Sequence, residues 1–243
     1  NNGRGVAGVQ WTTRIMPLKF MNSAGSGYTS DAAAAILYAN MMGADVISNS
    51  WGGSGQSSLV KNAIDASSAV VVCAAGNSGT NNDAKPFYPA SYSSPQIIAV
   101  AATNAYDNLA SFSNYGSISV DVAAPGDYIY STIRGTSYGY MSGTSMATPH
   151  VAGLAGLVKA YNPALTSSQM KEAILTGVDK KSTLNGKILT SGRINAYRTL
   201  SAIQPVAVLS VTSVEPSSRY KPLAGSSHNN SQRIRRHSQE KAL

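Results

Sequence analysis

The chain has 243 residues and a formal net charge of +8, enough for one large α/β domain with a sizeable core. Apolar residues make up 43% and charged residues only 12%, a balance that excludes a largely disordered chain. No apolar run approaches the ~18 residues of a membrane span, and a single cysteine, Cys73, excludes an internal disulfide framework.

The charge is unevenly placed. Residues 204–243 hold six basic residues (Arg219, Lys221, Arg233, Arg235, Arg236, Lys241) against Glu215 and Glu240. The remaining thirteen basic and nine acidic residues leave +4 for residues 1–203, too mild to indicate nucleic-acid binding.

Residues 1–9, NNGRGVAGV, read as a glycine-rich loop. RIMPLKFMN reads as a strand, and Gly25-Ser26-Gly27 as a turn after it. Ser30 and Asp31 start a helix that runs through DAAAAILYANMMG and stops at Gly43. Val46 to Asn49 is a short buried strand ending in Ser50-Trp51-Gly52-Gly53. Ser57 to Ser67 is a second helix. Val70 to Ala75, Ile97 to Ala102 and Val120 to Ala124 are three further strands, the first ending at Gly76-Asn77-Ser78-Gly79. Cys73 lies within the first of these three, as a buried small hydrophobe. Short strands alternating with helices predict an α/β fold, a three-layer parallel sheet with helices on both faces. Loops at the carboxyl ends of such strands line the active site.

Tyr128 to Tyr140 reads as a hairpin returning to Gly143-Thr144-Ser145-Met146-Ala147-Thr148-Pro149-His150. From Val151 to Ala160 only Lys159 is charged, which predicts a helix buried on nearly every side. Thr144 suits an N-cap and Pro149 an early helical turn. Ser145 then stands at the positive end of the helix dipole, beside free backbone N–H groups. Asn162-Pro163 breaks the chain, Ser167 to Thr176 is an amphipathic surface helix, and a last short helix starts near Gly192 to Tyr197. Residues 204–243 read as a linker and a disordered basic tail: QPVAVLSVTSV fits either one strand or a linker, and the rest has few large apolar residues.

GTSMATPHVAG resembles the serine motif of the subtilisin-like serine proteases, the subtilases, and AAGNSG resembles a second family motif. The resemblance covers residues 1 to about 200 as a partial peptidase domain, the later two-thirds of a complete one. It implies a subtilisin-like fold with its N-terminal part missing, and a secreted serine endopeptidase acting on extended or unfolded polypeptides, with an inhibitory propeptide as a further partner. Ser145 is then the nucleophile. The Asn77 amide and the Ser145 N–H are the oxyanion donors. In a subtilisin, loss of one such donor costs roughly 10²–10³ in turnover.

The resemblance also carries over the substrate-binding residues. Gly25, Ser26, Gly27, Ser50, Trp51 and Gly52 correspond to two edges that hold an extended peptide by strand addition. Ala74, Ala75 and Gly76 form one wall of the primary pocket, and Gly52 and Gly53 part of the other. Their small side chains leave room for a large apolar one. Phe87, before Tyr88-Pro89, narrows the floor, and Pro89 matches a position that is often cis in the family. No Asp or Glu lies in these stretches, which argues against a processing protease that demands paired basic residues. The opening loop resembles half of a structural calcium site, with Asn2 giving a side-chain oxygen and Arg4 and Val6 their carbonyls. The chemistry itself needs no cofactor.

A triad of this kind runs Asp, His, Ser along the chain. Neither an acid nor a base in a fitting setting is found here. His150 lies in the serine motif, five residues beyond Ser145 and pointing away from its hydroxyl. His228 and His237 lie in the tail, and Asp121 and Asp127 read as structural. The chain is therefore expected to be a fragment, inactive alone, with its Asp and His upstream of Asn1. A non-catalytic peptide-binding domain is the second reading. A lipase-like hydrolase ranks last, because the motif is not GxSxG.

Overall fold

The computed structural model describes residues 3–204. The tail from Pro205 to Leu243 and the first two residues lie outside the described residues, so the expected disordered tail is not addressed by it.

Four parallel strands form the frame: β1 (Val46–Asn49), β2 (Val70–Ala74), β3 (Ile97–Thr103) and β4 (Val122–Pro125). Two helices, α1 (Thr29–Met41) and α2 (Ser58–Asp65), precede β2. A hairpin of β5 (Ile129–Thr132) and β6 (Tyr138–Met141) leaves the sheet after β4. Tyr128, Tyr130, Tyr138 and Tyr140 stack across it. Helix α3 (Thr144–Tyr161) follows, then α4 (Ser167–Thr176), β7 (Asp179–Lys180), β8 (Gly192–Arg193) and α5 (Ala196–Ser201). The sheet order is β1-β2-β3-β4-β8-β7, and only β7 runs antiparallel to its neighbour.

Strands β2, β3 and β4 are apolar at almost every position because both faces are covered. Side chains alternate. Val70, Val72, Ile98, Val100, Val122 and Ala124 pack under α3 and α4. Val71, Cys73, Ile97 and Ala99 pack under α1 and α2 with Ile36, Val60 and Ile64. This is the three-layer arrangement read from the sequence. Helix α3 crosses β1, β2, β3 and β4, which places its first turn above their carboxyl ends.

Several local expectations are corrected. RIMPLKFMN forms no strand; residues 13–20 carry no regular secondary structure. An isolated strand is not self-sufficient, and β1 stands at the end of the sheet without this segment beside it. Val120 and Asp121 precede β4 instead of opening it. Helix α3 is buried on one side only: Pro149 is exposed, and His150, Gly153 and Gly156 are half-buried. A Cβ on Gly153 would lie 2.8 Å from Val9 Cβ, so the missing side chain lets the opening segment cross the helix there.

Candidate active site

Helix α3 begins differently from the expectation. Gly143 is its N-cap and Thr144 its first residue, which frees the Thr144 side chain for another role. The Gly143 N–H donates to Gly126 O at 2.8 Å. That approach requires Gly126 to lack a side chain, since a Cβ there would lie 2.6 Å from Ala102 Cβ. The hairpin is thereby closed at its base and Ser145 set two residues beyond.

Thr144 joins the two motifs. Its N–H and its hydroxyl both donate to Asn77 Oδ1 at 2.8 Å, and its Oγ1 accepts from the Gly76 N–H at 3.2 Å. A backbone N–H donor can be met only by the amide oxygen, so the orientation of the Asn77 amide is settled. Nδ2 is left facing away from Thr144, beside Gly143, 3.4 Å from where a Cβ of that glycine would sit. The Ser145 N–H, second in the helix, has no intrahelical acceptor. Asn77 Nδ2 and the Ser145 N–H thus lie on one side of Gly143, 3.4 and 3.6 Å from where its Cβ would sit, two donors of the kind that stabilise an oxyanion. Asn77 itself is exposed, while Thr144 is fully buried.

A buried amide pair holds the Asn77 loop. Asn114 Oδ1 accepts from the N–H groups of Ser78 and Thr80 at 2.8 and 3.2 Å. Asn114 Nδ2 donates to Asn82 Oδ1 at 3.0 Å, and Asn82 Nδ2 to Ala75 O at 2.8 Å. Gly76, at φ +109, is pressed against this pair; a Cβ there would lie 2.5 Å from Asn114 Nδ2.

Ser50 and Ser145 exchange hydrogen bonds. Ser145 Oγ donates to Ser50 O at 3.1 Å, and Ser50 Oγ to Ser145 O at 3.0 Å. The second bond has a cause in the sequence. Pro149, the sixth residue of α3 and not in its first turn, has no N–H for the carbonyl four residues back, so Ser145 O would be an orphan. Ser50, leaving β1, fills it.

Among the described residues no imidazole reaches Ser145 Oγ. His150 Nδ1 lies 2.9 Å from Met146 O on its own helix. Cys73 is no rival nucleophile: burial pushes its thiol up to about 12. Asp127 Oδ1 accepts from Ser142 Oγ at 2.7 Å at the base of the hairpin. Asp121 accepts from the Ala99 N–H at 2.7 Å and faces Lys171 Nζ at 3.2 Å. Burial raises its pKa from the usual carboxylate value, opposed by Lys171. Both aspartates are spoken for structurally.

The remaining predicted residues divide. Ser50, Trp51 and Gly52 follow β1, and Ala74 ends β2 with Ala75 and Gly76 after it, so both groups reach the carboxyl edge of the sheet near Ser145. Gly25, Ser26 and Gly27 belong to a turn closed by Asn22, which donates its N–H to Ser26 O at 2.8 Å. Phe20 connects that turn to the stretch after β1, its ring 5.0 Å from Trp51 and edge-on to it. A groove of about 880 Å³ between residues 18–28 and α1 is lined by Ser26 and Gly27 but not by Ser145 or Asn77. Arg4 and Val6 lie in an exposed, irregular segment, and Asn2 is outside the described residues. This donor set fits calcium only in part: three oxygens fall short of the six to eight that calcium takes. No cluster of three or more His, Cys, Asp or Glu side chains occurs among the described residues to complete it.

The subtilase family model matches residues 1–194. This chain belongs to the subtilase family. It is 45% identical over 204 residues to the thermophilic serine proteinase of Bacillus sp. strain AK1, covering 83% of this chain and 49% of that protein. It is 44% identical over 201 residues to thermitase of Thermoactinomyces vulgaris, covering 82% and 69%. Among solved structures it is similar to a protease of Pseudoalteromonas arctica PAMC 21717, with a TM-score of 0.73 and 34% identity over 83% of this chain and 66% of that one. The subtilase chain thus spans about half the length of one of these relatives and about two-thirds of another. The structure of this subtilase brings Ser145 and Asn77 close together through Thr144; the Thr144 clamp, the Ser50 exchange and the Asn82–Asn114 pair were not read from the sequence. The missing N–H of Pro149 was the one available signal for the second of these.

Proposed function

We propose that this subtilase chain carries the nucleophile and the oxyanion donors of a serine endopeptidase, and that its acid and base come from polypeptide outside these 243 residues. The observation that supports this most is the Thr144 clamp, which turns the Asn77 amide toward the place where a carbonyl attacked by Ser145 develops charge. In the reaction Ser145 Oγ adds to the peptide carbonyl as a base takes its proton. The oxyanion is held by Asn77 Nδ2 and the Ser145 N–H. The amine then leaves with a proton returned by the same base, and water releases the acyl group by the same steps in reverse.

The substrate lies extended against Gly25–Gly27 on one side and Ser50–Gly52 on the other, held mainly through backbone. Calcium at Asn2, Arg4 and Val6 is a structural role within this proposal, as are an inhibitory propeptide and an extracellular site of action. No helix among the described residues is long and apolar enough to cross a membrane.

Without a base Ser145 keeps its proton and its bond to Ser50 O, and the chain alone is slow. The test is a serine-directed fluorophosphonate. The 243-residue chain should label at Ser145 only over many hours, whereas a longer chain that supplies the acid and base should hydrolyse unfolded protein and lose that activity on Ser145→Ala. Rapid stoichiometric labelling of the short chain would show that a base is already present. Activity surviving Ser145→Ala would remove the nucleophile assignment. A peptide-binding role without catalysis is the second reading. The bond from Ser145 Oγ to Ser50 O favours it for the isolated chain.

A further inference from the structure

Within the reading that Ser145 attacks a peptide carbonyl, we infer that Phe87 closes the crevice beside Ser145, so that the residue donating the attacked carbonyl carries a small side chain: glycine, alanine or serine. Two stretches flank the nucleophile. One is residues 50–53, tied to it by the Ser50–Ser145 exchange. The other is residues 74–77, tied to it through Thr144. With its oxygen at Asn77 and its carbon at Ser145 Oγ, the residue under attack lies between them.

A single phenyl ring already stands there. A Cβ built on Gly52 would lie 2.4 Å from Phe87 Cε1 and 2.9 Å from Cζ. One built on Gly76 would lie 3.1 Å from Phe87 Cγ. The side-chain space that both glycines leave open is therefore taken up by the same ring. Glycine at 52 and 76 makes room for Phe87 instead of for substrate.

The ring cannot step aside easily. The Gly53 N–H donates to Tyr88 O at 2.9 Å and the Tyr88 N–H to Gly53 O at 2.8 Å, pairing the two segments next to it. The Phe87 N–H donates to Ser91 Oγ at 3.1 Å, and the Ser91 N–H to Phe87 O at 2.9 Å. With its backbone held on both sides, Phe87 has only side-chain torsions left to move. Nor does it serve a core: it belongs to none of the three apolar clusters of the fold. Its half-buried ring faces the crevice glycines. The substrate class that fits is polypeptide rich in small residues.

The test is equilibrium binding to the 243-residue chain carrying Ser145→Ala, which prevents turnover. Fluorescent hexapeptides identical except for alanine or phenylalanine at one central position are compared. The alanine peptide should bind at least about tenfold more tightly, the scale at which a filled apolar pocket discriminates. Phe87→Gly should erase or reverse that ratio, and Phe87→Leu, which keeps a side chain to hold the segment, should give an intermediate one. Equal affinities in the parent, or a ratio unmoved by both Phe87 variants, would overturn the inference while leaving the protease reading in place. Binding of neither peptide to parent or variants would overturn the extended-peptide groove itself, and this inference with it.

Discussion

Replacing Thr144 with valine removes one oxygen and almost no volume, so the expected loss can be assigned to hydrogen bonds. The hydroxyl donates to Asn77 Oδ1 at 2.8 Å and accepts from the Gly76 N–H at 3.2 Å. Asn77 Oδ1 keeps a second donor in the Thr144 N–H, so its loss is partial. Gly76 is buried, and its N–H is left with no acceptor, which costs about 1–3 kcal/mol. A total near 2 kcal/mol corresponds to a fall of about 4–8 °C in Tm for a domain of this size. Urea melts of the 243-residue chain read the same quantity as a lower midpoint at unchanged slope. Thr144→Ser keeps both bonds and should stay within about 1 kcal/mol of the parent, the cost of one buried methyl. If valine and serine variants melted together, the hydroxyl would contribute nothing to the clamp, and the hold on Asn77 would rest on the Thr144 N–H alone.

Two further predictions concern charge. Lys171→Met removes the cation facing Asp121 and should cost about 3 kcal/mol at pH 7, the low end for breaking a buried pair, because the Lys171 side chain keeps 21% exposure. Burial raises the folded pKa of Asp121, so the neutral carboxyl is the form the fold favours. Stability from this group is full below the ordinary carboxylate range and lost as pH rises through the raised value. The variant's deficit should therefore shrink in acid, and chemical melts at pH 4 and pH 7 compare the two. Asp83→Ala should cost about 1 kcal/mol or less, since the residue is exposed and solvent screens it. Burial pulls its pKa up, but hydrogen bonds from the Ser119 side chain and backbone, Ile118 and Ser117 outweigh this and leave it below the ordinary value. Its contribution is present above that ordinary value and lost as pH falls through the lowered one. Parent and variant melts should converge at the acid end; a gap that stayed constant with pH would assign the loss to packing.

The sequence by itself determined the parts that depend on local pattern. The β2 and β3 runs are short, apolar and bounded by turns, and their two-sided burial follows from having no polar alternation. The serine motif and AAGNSG are long enough to name the family, and they single out Ser145 and Asn77 as candidates. Other features needed the folded chain because their partners are far apart along it. Thr144 looked like a cap; it became a clamp because Asn77, 67 residues away, offers its oxygen there. RIMPLKFMN had the composition of a strand, but pairing is a property of two segments, and β1 has no described partner on that side. Phe87 was visible as a bulky residue in an unusual place. That it occupies the space left by both Gly52 and Gly76 was decided only when the Gly53–Tyr88 bridge brought three separate stretches around one ring.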